Sequence, residues 1–176
     1  MKRDDKDIIR DSNKLQLLID AIVDYAVFMI DADGIVVSWN SGAERIKGYS
    51  ASEIIGQPYA RFFTQQDQDA GIPLSFLSEA RREGRAEHEG WRVRSNGTLF
   101  WAHSVLDAIR DPKGDVIGFA KISRDITTRH KAQQELIDSE RQFRLLTSNL
   151  TDCALYMLDL NGVVVNNERT SASSWK

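Results

Sequence analysis

At Asp125 the spacing of apolar residues in this sequence changes. Upstream, Gly118-Phe119-Ala120-Lys121-Ile122-Ser123-Arg124 reads as a β-strand. Asp125-Ile126-Thr127 then places two short polar side chains where a strand ends, where either can accept the free N–H groups of a following helix. Downstream, Leu136, Phe143 and Leu150 recur every seven residues, and Ala132, Ser139 and Leu146 form a companion series offset by four. Two such series describe the seam of a parallel coiled coil. The chain must therefore be a strand-containing domain that stops near residue 127, followed over 128–150 by a helix expected to form a homodimer through Leu136, Phe143 and Leu150.

The upstream part divides at its turn residues. Residues 1–13 are a tail of mixed charge. A helix is expected over 14–25 from Leu15, Leu17, Leu18, Ile22 and Val23, with Asp11 or Ser12 as N-cap, and it offers a second possible dimer contact. Two strands, 27–30 and 35–39, flank the turn Asp31-Ala32-Asp33-Gly34, with Val37 and Trp39 on one face. Short helices over 42–56 break at Gly48 and Gly56, and Ser50-x-x-Glu53 is a capping-box pattern. A longer helix over 73–83 has Pro73 in its first turn, a face of Leu74, Leu77 and Ala80 or Arg81, and a stop at Gly84. Strands follow at about 86–94, 98–109 and 115–125, the first two joined by the two-residue signal Asn96-Gly97. The pattern is that of an α+β domain with hairpins.

Five motifs occur in an order that resembles the PAS sensor family: Trp39-Asn40, Gly48-Tyr49-Ser50, Glu53-Ile54-Ile55-Gly56, Gly97-Thr98-x-Phe100-Trp101 and Asp125-Ile126-Thr127. The resemblance covers about residues 15–127, with a partial second match at 143–166. It implies a PAS fold with a five-stranded antiparallel sheet and short helices on one face. It also implies a sensory or coupling module of a multidomain signalling protein of the histidine-kinase type. In such a module Asp125 and Thr127 would be the signal junction. A ligand-free dimerisation module and a non-covalent flavin redox or light sensor are the alternatives.

The second match is an internal repeat. Leu17 to Trp39 aligns without gaps onto Leu145 to Asn167, with nine of 23 positions identical, including Asp24/Asp152, Ala26/Ala154, Met29/Met157, Asp31/Asp159 and Gly34/Gly162. The copy fails after Asn167. Four segments are therefore expected: the tail 1–13, a PAS domain with its flanking helix over 14–127, a connector over 128–150, and the truncated start of a second PAS domain over 151–176. The chain is expected to be a piece of a tandem-PAS protein or a truncated gene product, with a frayed tail at 170–174.

No catalytic domain is expected. Neither G-x-x-x-x-G-K-[ST] nor G-x-G-x-x-G occurs, no nucleophile elbow or metal-binding His/Cys spacing is present, and His88, His103 and His130 are scattered. A net charge of −3 gives no bulk attraction to nucleic acid. No stretch approaches the length of apolar residues that a membrane span needs, and Cys153 is the only cysteine, which fits a cytoplasmic, reducing environment. Within the PAS resemblance, Tyr59 stands where photosensory LOV relatives carry the adduct-forming cysteine, and Ala102 where they carry a flavin-reading asparagine. Residues 66–85 hold no histidine for haem. A non-covalent flavin would rest on Trp39 and Tyr59. Strand alternation puts Phe100, Ala102, Ser104 and Leu106 inward and Trp101 outward, where it can meet Trp91 across the hairpin. The expected pocket, small and mainly apolar, is lined by Phe28, Ile30, Trp39, Tyr59, Leu77, Ser104 and Leu106. Lys121 is the odd residue: if it faces inward it needs an acidic partner or an anionic ligand.

Overall fold

Alternation along the strands fixes which side of the sheet is covered. The computed structural model describes residues 14–148, 156–158 and 160–167. The proposed N-caps Asp11 and Ser12, the seam position Leu150, Cys153 and the tail after residue 167 lie outside them. Residues 14–20 are helical (α1). Then come β1 (Ala26–Asp31), α2 (Ser41–Lys47), α3 (Ala51–Ile54), a 3-10 turn (Tyr59–Phe62), α4 (Gln65–Asp69), α5 (Ile72–Glu83), β2 (Arg85–Val93), β3 (Leu99–Arg110), β4 (Val116–Asp125) and α6 (Thr127–Ser148). The strands form one antiparallel sheet in the order β1-β4-β3-β2.

The inner face of this sheet is a grid set by register. Phe28, Lys121, Leu106 and Ala86 form one row across the strands, and Ala26, Ser123, Ser104 and His88 the next. Phe100, Ala102, Ser104 and Leu106 are all buried, as alternation requires. Trp101 lies on the opposite face and meets its register partner Trp91 edge-on, with ring centroids 5.2 Å apart.

The sheet has four strands and not the expected five. Residues 35–39 run beside β1, but only isolated bridges Ile30–Val36 and Ile35–Pro58 form. Side-chain oxygens have displaced main-chain acceptors along this edge. Ser38 Oγ accepts from Met29 N–H and Asn40 Oδ1 from Val27 N–H, both at 2.9 Å. Without a regular ladder the alternation is lost, so Val36 is buried, Val37 is 46% exposed and Trp39 is buried. Val37 and Trp39 therefore do not share a face. The hairpin at Asn96-Gly97 is also longer than predicted: Gly97 N–H bonds to Arg94 C=O and Arg94 N–H to Thr98 C=O, leaving a three-residue loop.

The long helix α5 covers the inner face with Pro73, Phe76, Leu77 and Ala80. That is i, i+3, i+4, i+7 spacing, rotated from the predicted face, and Leu74 points away at 70% exposure. Opposite the other end of the sheet, Phe28, Trp39 and Phe62 pack as a triad with centroids 4.8–5.6 Å apart.

Asn40 is the knot that ties the N-terminal segment to this core. Its Oδ1 caps α2 at Ala43 N–H (2.7 Å), and its Nδ2 lies 3.2 Å from the carbonyls of Ile19, Ile22 and Tyr25. Two residues on, Gly42 lets the same backbone approach closely: a Cβ there would sit 2.1 Å from Tyr25 O.

The chain divides into two units between Thr128 and Arg129. In the second, β5 (Tyr156–Leu158) pairs antiparallel with β6 (Val164–Asn167). Its Leu158–Val164 pair stands at the positions that the internal repeat equates with Ile30–Val36, and Gly162 shares the left-handed backbone of Gly34. Among the described residues no helix is long and apolar enough to cross a membrane.

Asn40→Ala should lower unfolding free energy by about 3 kcal/mol, because several buried partners lose their bond at once. Gly42→Ala should be similarly damaging. Urea denaturation checks both; midpoints equal to wild type would show that the N-terminal segment is held elsewhere.

Candidate functional site

Two groups of polar side chains stand out on this frame. The first surrounds Asp125 at the end of β4. Its Oδ1 accepts from the Thr127 N–H (2.9 Å) and hydroxyl (2.6 Å), and its Oδ2 meets Arg94 Nη2 at 2.5 Å. Thr127 Oγ1 in turn accepts from Trp101 N–H at 2.9 Å, and Ile126 N–H bonds to Trp101 C=O. The two predicted junction residues are thus bonded to each other and to β3. Burial pushes the Asp125 carboxyl up, but hydrogen bonds from Thr127 and Arg94 outweigh it and hold it below the usual range. Arg94 also donates to the Ile46 carbonyl, while Ser95 N–H donates to Lys47 C=O and Ser95 Oγ to Gly48 C=O. The hairpin between β2 and β3 therefore grips the C-terminal end of α2 and Asp125 together. An open cleft of about 540 Å³ lies over this contact, bordered by Asp24, Arg45, Arg94 and Arg124.

The second group lies on the inner face. All seven predicted pocket residues are buried. Phe28 and Trp39 are in ring contact, Tyr59 and Leu77 close on Gly34, Ser104 Oγ lies 2.9 Å from Ser123 Oγ, and Leu106 is the register partner of Lys121. Tyr59 donates its hydroxyl to Pro73 C=O, and burial raises its pKa. These residues share the interior with three cations. Lys121, which alternation placed inward or at the mouth, is inward. Sequence reasoning missed the other two. Lys47 ends α2, where a lysine reads as a solvated partner of the helix dipole. Arg92 follows Ala86, His88 and Gly90 in the β2 alternation, which was a usable signal.

Lys47 Nζ stands 4.4 Å from the Phe62 ring centroid and 5.2 Å from that of Phe100; Lys121 Nζ stands 4.3 Å from that of Phe76. Arg92 lies over Phe63 at 4.0 Å and is 3.9 Å from Asp67. Burial, then the neighbouring Arg92 and Arg94, pulls Lys47 from 10.5 down to about 7. Burial, then Lys47 and Arg92, holds Lys121 well below the ordinary lysine range. A non-covalent flavin does not fit this face: Trp39 is stacked on Phe62 and donates Nε1–H to Tyr49 C=O, Ala102 offers no polar atom, and two amines project into the same space. Among the described residues no cluster of three His, Cys, Asp or Glu can hold a metal.

Comparison with known proteins agrees with this architecture. Residues 24–128 match the sequence profile of the PAS domain. Two-component system protein A of Emericella nidulans is 41% identical over 138 residues, covering 78% of this chain and 20% of that protein. The signal transduction histidine-protein kinase AtoS of Escherichia coli is 28% identical over 135 residues, covering 76% and 21%. The chain thus spans about a fifth of the length of these curated relatives. The solved PAS domain of a protein from Colwellia psychrerythraea has a TM-score of 0.61 at 26% identity, covering 69% of this chain and 98% of that one.

The depressed lysine gives a pH signature. Between about pH 7 and 10.5 the unfolded chain keeps a proton that folded Lys47 has released. Stability must therefore rise with pH in that window, by about 1.4 kcal/mol per unit for this group. Tyr59 acts oppositely above about pH 10, where only the unfolded chain ionises it. Urea midpoints should climb from pH 7.5 to 9.5 in the wild type, and Lys47→Met should lessen that climb without abolishing it, because Lys121, also held below the ordinary lysine range, contributes with the same sign. A flat wild-type profile would mean that Lys47 is paired or solvated.

Proposed function

The chain belongs to the PAS domain family, and on that premise we propose that it is the sensory and coupling module of a larger two-component signalling protein of the histidine-kinase class. A change at the inner face of the sheet is passed through Asp125 and Thr127 to α6, which acts as a dimeric connector. The observation that carries this reading is Arg94. One guanidinium joins the end of α2, which bears the buried Lys47, to Asp125, which caps the start of α6. Movement of α2 over the sheet therefore alters the hydrogen bonds that start the output helix. Kinase chemistry belongs, in this proposal, to parts of the parent protein outside this chain. The repeat over 151–176 is the beginning of a second PAS unit, and the parent works in the cytoplasm.

The dimer part of the proposal rests on the heptad spacing within α6, where Leu136 and Phe143 are both more than half exposed. Each seam side chain is worth roughly 1.5–3 kcal/mol when buried. Leu136→Ser with Phe143→Ser should convert a dimer to monomer in sedimentation equilibrium, and an undiminished dimer would move the interface off α6. Asp125 ends β4 and precedes α6, yet Asp125→Asn should change the dimer dissociation constant at least about fivefold, the size of an ordinary coupling energy. A constant identical to wild type would sink the coupling role of the junction.

A further inference from the structure

We propose that the inner face of the sheet binds a small carboxylate, with Lys121 and Lys47 as the cationic partners and the Ser104–Ser123 hydroxyls beneath them. The proposal rests on the sensory reading above and names the chemical class of its ligand.

The charge balance of the interior carries the argument. Lys121 is only 1% exposed, and its Nζ has no hydrogen-bond partner among the described residues. Lys47 is equally buried. The ring faces of Phe76, Phe62 and Phe100 attract these amines, but cation–π contacts return far less than desolvating an ammonium group costs. The nearby carboxylates are engaged elsewhere: Asp67 faces Arg92, Asp125 bonds Arg94, and Glu79 lies 2.7 Å from His88. A core that needed only volume here would be better served by Met or Leu, since replacing buried charge by apolar groups of similar size is commonly stabilising. Two buried amines that meet no acid among the described residues, one of them without any hydrogen-bond partner there, make chemical sense when a negative charge arrives from outside.

The surroundings select the anion. On the inner face Lys121 shares its row with Phe28, Leu106 and Ala86, and the small polar residues Ser123 and Ser104 stand in the next row. The Ser104 and Ser123 hydroxyls, 2.9 Å apart and buried, supply further donors. The walls are the rings of Phe28, Phe62, Phe76 and Phe100. Such walls suit the apolar body of an organic acid, and a monoanion suits a site where one protonated lysine neutralises it. Phosphate carries more charge and no apolar part, so its desolvation would be harder to offset. Arg92 marks the approach. It is buried over Phe63, and it also borders an open groove of about 640 Å³ lined by Thr64, Asp67, His88, Gly90 and Trp91. Lysine stems are flexible, so the amines can turn to meet an incoming carboxylate.

The test is calorimetric titration of the full chain at pH 7 and constant ionic strength with sodium benzoate, butyrate and pyruvate, beside benzamide, butyramide and inorganic phosphate. At least one carboxylate should bind saturably and at least tenfold more tightly than its amide or than phosphate. Lys121→Met should abolish that preference by weakening the carboxylate tenfold or more. The same variant should melt at a higher temperature than wild type at pH 7, so loss of binding is separable from loss of fold. Lys113→Met, at an exposed turn, should bind as wild type does. Equal binding of amide and carboxylate, preference for phosphate, absence of saturable carboxylate binding, or a Lys121→Met variant that melts lower than wild type would each overturn the proposal. The sensory reading has its own criterion, the response of the dimer constant to Asp125→Asn, and it stands or falls independently of these probes.

Discussion

The Asp125 carboxylate is the constraint on which the rest of this domain depends. One oxygen starts α6 by receiving the Thr127 N–H and hydroxyl, and the other holds Arg94. Through Arg94 and its neighbour Ser95 the same group fixes the last turn of α2. Through Thr127 it fixes the backbone of β3 at Trp101. Four elements therefore meet at one charge. Hydrogen bonds to a charged group are stronger than neutral ones, so the meeting point is rigid while its carboxylate is ionised. A rigid point shared by α2 and α6 is what the proposed coupling role requires.

Set against this well-satisfied charge is an interior that is not satisfied. The aromatic rings of Phe28, Phe62, Phe76 and Phe100 give the core its burial energy, yet Lys47 and Lys121 place two amines among them. The protein keeps its amines at the expense of their normal protonation. Under the proposed carboxylate reading, stability and function pull apart here, as they do wherever a binding site is desolvated before its ligand arrives. Lys47 belongs to both regions, because its side chain enters the core and its carbonyl receives Ser95 N–H at 2.8 Å. Its protonation state is thus one residue away from the hairpin that grips Asp125.

The sequence made the regular parts of this fold legible, because strand alternation and helix punctuation are written in side-chain chemistry. The inner residues of β3, the Trp91–Trp101 pair and the limits of α5 follow from alternation and from Pro73 and Gly84. The Ser50–Glu53 capping box is present, with Glu53 Oε2 accepting from Ser50 N–H at 2.8 Å. Residues 35–39 were misread as a strand because side chains of Ser38 and Asn40 do what a ladder of carbonyls would do, and composition does not show that substitution. The α5 face is ambiguous in sequence because Leu74 shares helical spacing with Leu77 and Arg81, while the buried face runs through Pro73, Phe76, Leu77 and Ala80. The wholly polar α4 carries no apolar period to detect. At the junction, Asp125 and Thr127 were legible from the helix-capping pattern, while Arg94 was not, since its partners lie 31 and 48 residues away. The buried cations were the least legible feature, because lysine and arginine are ordinarily solvated and only Lys121 broke a strand pattern plainly enough to be noticed.

The central claim is that a charge at the inner face is felt where α6 begins. The most direct measurement follows the amide resonances of Ser95 and Thr127 as pH is taken through the Lys47 transition near 7, in the wild type and in Lys47→Met. The account predicts that both amides titrate with that midpoint in the wild type and that the transition disappears from both in the variant. A Thr127 resonance that stays flat, or that titrates unchanged in Lys47→Met, would contradict it.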